Sequence, residues 1–283
     1  MDYSRRRFER WVNEGHQRYR KHRQSVHIVL YAITQNPLLK ELMVMKGGML
    51  MALRYQSPRF TKDIDFSTDK LPQNIKMEEI NNAFKASLPI ASSHFDYDLE
   101  CRVQSCTIQP TRGDATYPSI RLSIGSAYRS SAEYKRLVIG QSPSVVTIDF
   151  SLNETILFVD RLLLENGDEI KIYGLTDLIA EKIRSLLQQP SRKRARRQDV
   201  FDLGQLLKRE YTEPQKLDIL RSINIKCRSR GIEPNSGSIS DPQVKSLAKK
   251  EYPTLAQELE GALPDFEESY ERIERFYCSL PWI

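Results

Sequence analysis

The chain has little cysteine and no long apolar run. Its four cysteines, Cys101, Cys106, Cys227 and Cys278, show no C-x-x-C spacing and no histidine placed to complete a zinc site. That excludes a zinc ribbon or finger and predicts reduced thiols, as in a cytoplasmic protein. No stretch of about 18 apolar residues occurs, so no membrane span is expected. Met1-Asp2-Tyr3-Ser4-Arg5-Arg6-Arg7 contains no apolar signal core, so no secretory leader is expected either. Internal repeats and long low-complexity tracts are also missing. Charge of one sign is not dominant: 43 basic residues stand against 37 acidic, a net +6 that permits nucleic-acid binding without demanding it. The basic residues are bunched instead, at Arg5-Arg6-Arg7, from Arg18 to Arg23, and above all at Arg192-Lys193-Arg194-Ala195-Arg196-Arg197.

What is present suffices for a core: 283 residues, 40% of them hydrophobic, can build one large domain or two modest ones. Apolar spacing predicts a helix over 4–34 through Phe8, Trp11, Val12 and the run Val26–Ile33, broken at Asn36-Pro37. A short strand at 42–45 feeds a Lys46-Gly47-Gly48 turn, and Met49–Tyr55 is helical up to Ser57-Pro58. Thr61–Phe66 is the next strand and residues 75–88 an amphipathic helix. β character then dominates, at Asp98–Ile108, Ser119–Tyr128, Val145–Ser151 and Ile170–Tyr173. From Leu175 the chain is helical to its end, with helices expected over 175–189 and 198–211 and a last stripe of Phe266, Tyr270, Ile273 and Phe276.

The stretch around which the rest is arranged is Arg59-Phe60-Thr61-Lys62-Asp63-Ile64-Asp65-Phe66 behind the Gly-Gly turn. In a strand, Asp63 and Asp65 share one face, and Ile64 and Phe66 the other. Two neighbouring acids repel and lose hydration at a cost, so such a pair is kept where a cation joins them. Gly47 and Gly48 let backbone N–H groups approach a phosphate, Lys46 adds a point charge, and the following helix turns its N-terminal dipole to an anion. Arg59 and Thr61 complete a candidate nucleotide-binding set. Each feature alone also suits an ordinary turn or a solvated strand; their order favours a nucleotide-handling site.

Ile148-Asp149-Phe150 repeats Ile64-Asp65-Phe66 on a later strand, so Asp149 is a candidate third acid; a lone carboxylate satisfied at a strand end stays open. In the helix from Leu175, Lys182 falls inside the apolar stripe between Leu178 and Leu186, which points its head to a polar cleft, although lysine can also snorkel. In the next helix Asp199 lies within the arc of Val200, Leu203, Leu206 and Leu207, with Asp202 at its margin. An acid in a first turn can also merely complement the dipole. The basic run Arg192, Lys193, Arg194, Arg196 and Arg197 is a solvated loop or a guide for a phosphate backbone.

In these motifs the chain resembles the AbiEii/AbiGii family of nucleotidyltransferase-like toxins, within the polymerase-β-like superfamily. Lys46-Gly47-Gly48, Arg59-x-Thr61-x-Asp63-Ile64-Asp65-Phe66, Ile148-Asp149-Phe150, Ala180-Glu181-Lys182-Ile183-Arg184 and Asp199-Val200-Phe201-Asp202-Leu203 occur in order over roughly residues 40–210. Gly48 to Asp63 is longer than in the wider superfamily, and Arg197-Gln198-Asp199 departs from a plainer basic-acid junction. The resemblance implies an α+β protein: an N-terminal mixed-sheet nucleotidyltransferase lobe (1–174) followed by a C-terminal helical lobe (175–283) that closes over a nucleotide. It implies the toxin of a toxin–antitoxin or phage-defence pair, restrained by a cognate antitoxin and acting on the 3′ end of tRNA or another RNA. On this reading Asp63, Asp65 and Asp149 bind one or two Mg²⁺ ions and an NTP, and Lys182 neutralises the departing pyrophosphate. Asp199 orients Lys182 or contacts the nucleotide, and the basic run holds the RNA. Nucleotidylation of a protein or small molecule, or nucleotide binding without catalysis, are the competing expectations.

Overall fold

A strand whose apolar residues alternate with polar ones can bury one face only. That rule builds the first part of the molecule. The computed structural model describes residues 8–13, 16–110, 115–164 and 167–282. Chain packing divides it into two compact units. The first holds Met1–Arg54, Thr61–Glu154 and Asp160–Ile172; the second holds Tyr55–Phe60, Thr155–Val159 and Tyr173–Ile283.

In the first unit the single helix expected over 4–34 is divided into α1 (Phe8–Asn13) and α2 (Arg20–Gln35), with a 3₁₀ turn at Gln17–Tyr19 between them. The His16 ring accepts the Arg18 N–H at 3.2 Å and sets that turn. Trp11 and Val12 are buried as expected; the Phe8 side chain and the Arg5-Arg6-Arg7 cluster lie outside the described residues. Asn36-Pro37 begins a helix as well as ending one. The Asn36 side chain accepts the N–H groups of Leu38 and Leu39, and Pro37 occupies the first position of α3 (Pro37–Leu42), where its missing N–H costs nothing. Then follow β1 (Val44–Lys46), α4 (Gly47–Tyr55), β2 (Asp63–Ser67) and α5 (Met77–His94). The last runs past Pro89, where the predicted helix stopped, because Leu88 and Ala91 bury on either side of the proline.

The sheet continues through β3 (Leu99–Gln109), β4 (Ser119–Tyr128), the short α6 (Tyr134–Val138), β5 (Val145–Ser151), β6 (Val159–Leu163) and β7 (Glu169–Tyr173). Its seven strands lie in the order β3-β4-β5-β2-β1-β7-β6. β2 runs parallel to β5 and antiparallel to β1, so the sheet is mixed. Ile64, Phe66, Ile148, Phe150, Ile120 and Leu122 are fully or nearly fully buried on one face, where α2 and α5 pack. The other face of the same strands carries Asp, Ser, Thr and Arg.

The second unit is helical: α7 (Leu175–Leu187), α8 (Gln189–Arg192), α9 (Arg197–Leu206), α10 (Glu213–Arg228), α11 (Pro242–Lys249) and α12 (Phe266–Cys278). Thr212 and Gln215 form a reciprocal capping box that starts α10. Residues 58–60 are stitched to 258–260 by Phe60 N–H to Glu258 O (2.7 Å) and Glu260 N–H to Pro58 O (3.2 Å). Buried Asp177 accepts from Ser222 (2.6 Å) and from the Leu157 N–H (2.8 Å), and pairs with Lys226 at 3.4 Å. The segment 155–159 is thereby tied to α7 and α10. All four cysteines are free thiols, and among the described residues no helix is long and apolar enough to cross a membrane.

Candidate active site

The acids come from the alternation of β2 and β5. In the parallel pairing Asp65 stands directly beside Asp149, with Ile64 beside Ile148 and Phe66 beside Phe150. On its other side Asp65 faces Lys46 of β1. Asp63 lies one row along, beside Thr147. Neighbouring strands lie about 4.7–4.9 Å apart, so Asp65 and Asp149 stand side by side as adjacent carboxylates on one face. Asp149 makes no hydrogen bond or ion pair among the described residues, so the alternative of an acid satisfied at a strand end finds no partner for it.

Gly47 is required here twice over. Its φ of +70° is a left-handed value, and a Cβ built on it would lie 2.0 Å from Asp65 Oδ2. The backbone of the turn therefore runs against the Asp65 carboxylate, and Gly48 follows it in the first turn of α4. Lys46 turns its head to Ser151 Oγ (3.4 Å) and Glu154 (3.8 Å). Thr61 donates to the Asp63 carbonyl at 3.4 Å, while its own carbonyl lies 3.1 Å from His22 Nε2. Burial pushes the His22 pKa down to about 4, which keeps the ring neutral near pH 7. Among the described residues no group of three or more His, Cys, Asp or Glu side chains is arranged to hold a metal ion. Asp65 and Asp149 form a pair, with Asp63 one row along the same face.

The second unit holds the other expected residues. Lys182 is 5% exposed and donates to Asp202 at 2.6 Å and to Asp199 at 3.2 Å. Burial pulls its pKa down, but Asp202 and Asp199 outweigh that and hold it above the usual lysine range. Asp202 is fully buried and also accepts from Arg59, at 3.4 Å from Nε and 3.2 Å from Nη2. Burial pushes its carboxyl up; the Arg59 and Lys182 charges prevail and hold it below the usual carboxylate range. Arg59, expected at the nucleotide, is engaged by Asp202 and by Glu258 at 3.6 Å.

Sequence reasoning placed Asp202 only at the margin of its helix arc and gave it no role, and it passed over Glu258. Asp202 could have been found from its i, i+3 spacing to Asp199 on one helix face; Glu258 carries no local signal. In the basic run Arg197 is committed to Glu258 (2.9 Å), whereas Arg192, Lys193, Arg194 and Arg196 make no ion pair among the described residues. Burial lowers the Arg192 pKa, and the like charges of Arg230, Arg184, Arg196 and Arg194 lower it further. Such a crowd of cations is relieved by an anion.

No curated protein matches the sequence. The family model described as nucleotidyl transferase AbiEii toxin, of a type IV toxin–antitoxin system, matches residues 28–273. Among solved structures, JHP933 from Helicobacter pylori aligns with a TM-score of 0.50 at 16% identity, over 93% of this chain and 91% of that one. A protein from H. pylori described as a candidate nucleotidyltransferase gives a TM-score of 0.50 at 17% identity, over 93% and 94%. MenT4, a nucleotidyltransferase toxin from Mycobacterium tuberculosis, gives 0.47 at 15% identity over 96% and 92%, a likeness too low to bear on the fold. At these identities the two H. pylori structures establish the fold alone.

Proposed function

The chain belongs to the AbiEii nucleotidyl transferase toxin family, and we propose that it moves a nucleoside monophosphate from an NTP to the 3′ end of an RNA, with tRNA as the expected acceptor. The observation that carries this is the Asp65–Asp149 pair set against the Gly47 turn. The acceptor hydroxyl oxygen bonds to the α-phosphorus while the bond from that phosphorus to the bridging oxygen breaks. Pyrophosphate leaves with the electron pair, and the hydroxyl proton passes to solvent. Backbone groups at Gly47 and Gly48 receive the triphosphate, with Lys46 and Thr61 beside them.

Mg²⁺ suits this donor set. The ion takes one or two carboxylates and fills its remaining positions with water and substrate phosphate, so a pair such as Asp65 and Asp149 is enough. When bound, it supplies charge neutralisation at the triphosphate and polarises the reacting phosphoryl group. Asp63 is the carboxylate we assign to a second ion. Lys182, held charged by Asp199 and Asp202, is the cation we assign to the developing pyrophosphate charge. The free guanidinium groups of Arg192, Arg194 and Arg196, with Lys193, support an RNA acceptor over a small molecule. A cognate antitoxin is the expected restraint.

The test is incubation with Mg²⁺, each labelled NTP and total RNA. Wild type labels a nucleic-acid band that RNase removes, and Asp65→Ala lowers the labelling by about 10³-fold or more. Label that survives RNase moves the acceptor to protein; undiminished labelling by Asp65→Ala removes that carboxylate from the site.

A further inference from the structure

Beyond Asp149 the row of the sheet continues. The residue directly opposite Asp149 on β4 is Arg121, and opposite Arg121 on β3 is Thr107. Across four strands the same face thus presents Lys46, Asp65, Asp149 and Arg121, a cation at each end of a carboxylate pair. Opposite charges placed directly across a ladder normally join. Here Arg121 is exposed and makes no hydrogen bond or ion pair among the described residues, and the same holds for Asp149. Around Arg121 this face carries Ser119 and Ser123 on β4, with Ser105, Thr107 and Gln109 on β3. All five are uncharged hydrogen-bonding side chains, and the three on β3 are exposed.

The two ends of the row differ. The Lys46 end has the glycine turn, whose backbone abuts Asp65, and its lysine is already turned to Ser151 and Glu154. The Arg121 end has an open strip with one fixed positive charge. A triphosphate needs several donors and a close backbone. A single-stranded chain end needs one cation for a phosphodiester and tolerant hydroxyl and amide groups for sugars and base edges. We infer that Arg121 is a positioning residue for the acceptor: it holds the internucleotide phosphate next to the 3′-terminal hydroxyl of an RNA strand laid over β4 and β3. This rests on the transfer reaction proposed above and names the side of the acid pair from which the acceptor enters.

The test measures two affinities in one set of variants. With wild type, Arg121→Ala, Arg121→Lys and Arg121→Glu, the KM for the RNA acceptor is determined at saturating NTP, and the Kd of a fluorescent NTP analogue without RNA. Arg121→Ala should raise the acceptor KM about tenfold, Arg121→Glu about a hundredfold, and Arg121→Lys only a fewfold, since a point charge replaces part of a forked donor. The NTP Kd should stay within twofold throughout. The salt dependence of RNA binding should fall by about 0.7 in log–log slope for Arg121→Ala, the contribution of one phosphate contact on a single strand. Because Arg121 is exposed, unchanged melting curves are expected. An unchanged acceptor KM, or an NTP Kd that weakens in parallel, overturns the inference while leaving the transfer reading intact. Failure of wild type itself to label RNA removes the reading beneath it.

Discussion

The two units treat their carboxylates in opposite ways. On the sheet of the first unit Asp149 carries no protein partner among the described residues and sits beside a second acid. In the second unit Asp202 is fully buried and shared between Arg59 and Lys182. An acid left without a donor beside another acid is, on the function proposed above, where a cation would be held. An acid sealed between two cations is part of the framework, and it holds Lys182 charged and in place. The difference separates residues whose loss should stop chemistry from residues whose loss should first unsettle the fold.

That separation can be broken most forcefully at Asp202. Asp202→Ala leaves two buried cations without their shared partner, and removing one side of a buried ion network typically costs about 3–5 kcal/mol. Urea unfolding should show a loss of stability of that size; a loss below about 1 kcal/mol would make Asp202 a ligand group, not framework.

A second, somewhat smaller effect probes His22, which supports the Thr61 carbonyl. Its pKa is about 4 in the folded protein against an ordinary 6.5. The unfolded chain therefore takes up the proton first, and stability is complete above pH 6.5 and declines as pH falls toward 4. The contribution from this ring is about 3 kcal/mol once both states are charged. In His22→Gln the loss of stability between pH 6.5 and 4 should shrink by about that amount, which parallel denaturation curves would reveal. Equal pH dependence in both proteins would place the ring in solvent.

The smallest stability effect belongs to the turn. Gly47→Ala forces a left-handed conformation on an L-residue, about 1–2 kcal/mol, and drives a methyl group into Asp65 Oδ2. Its melting temperature should fall by a few degrees while labelling falls more than tenfold. Full activity would mean that the Asp65 position tolerates displacement.

Much of the first unit was legible because period-two alternation survives in strands buried on one face. Thr61–Phe66 lies within a residue or two of its strand, and Ser119–Tyr128 and Val145–Ser151 match theirs at both ends. β6 was missed, since Val159, Asp160 and Arg161 of this sheet-edge strand are all exposed and show no alternation. α6 escaped because five residues give too little helical period. Asn36-Pro37 reads in the sequence as a break, whereas the pair is a cap followed by a first-position proline. At the site, two matching Ile-Asp-Phe triplets marked Asp149 as a candidate third acid, while its direct register with Asp65 came only from the strand pairing. The partners of Arg59 did not, because Asp202 lies 143 residues away and no local pattern encodes that contact. Nor did the second unit's claim on residues 55–60 and 155–159, which rests on long-range hydrogen bonds formed only after folding.

The most direct measurement is single-turnover transfer by Asp149→Asn at saturating NTP and RNA, set beside its urea midpoint. A carboxylate that serves only ligands gives a rate reduced by about 10²-fold or more with an unchanged midpoint. A wild-type rate, or a rate and a midpoint that fall together, would contradict the assignment of the Asp65–Asp149 pair to the reacting triphosphate.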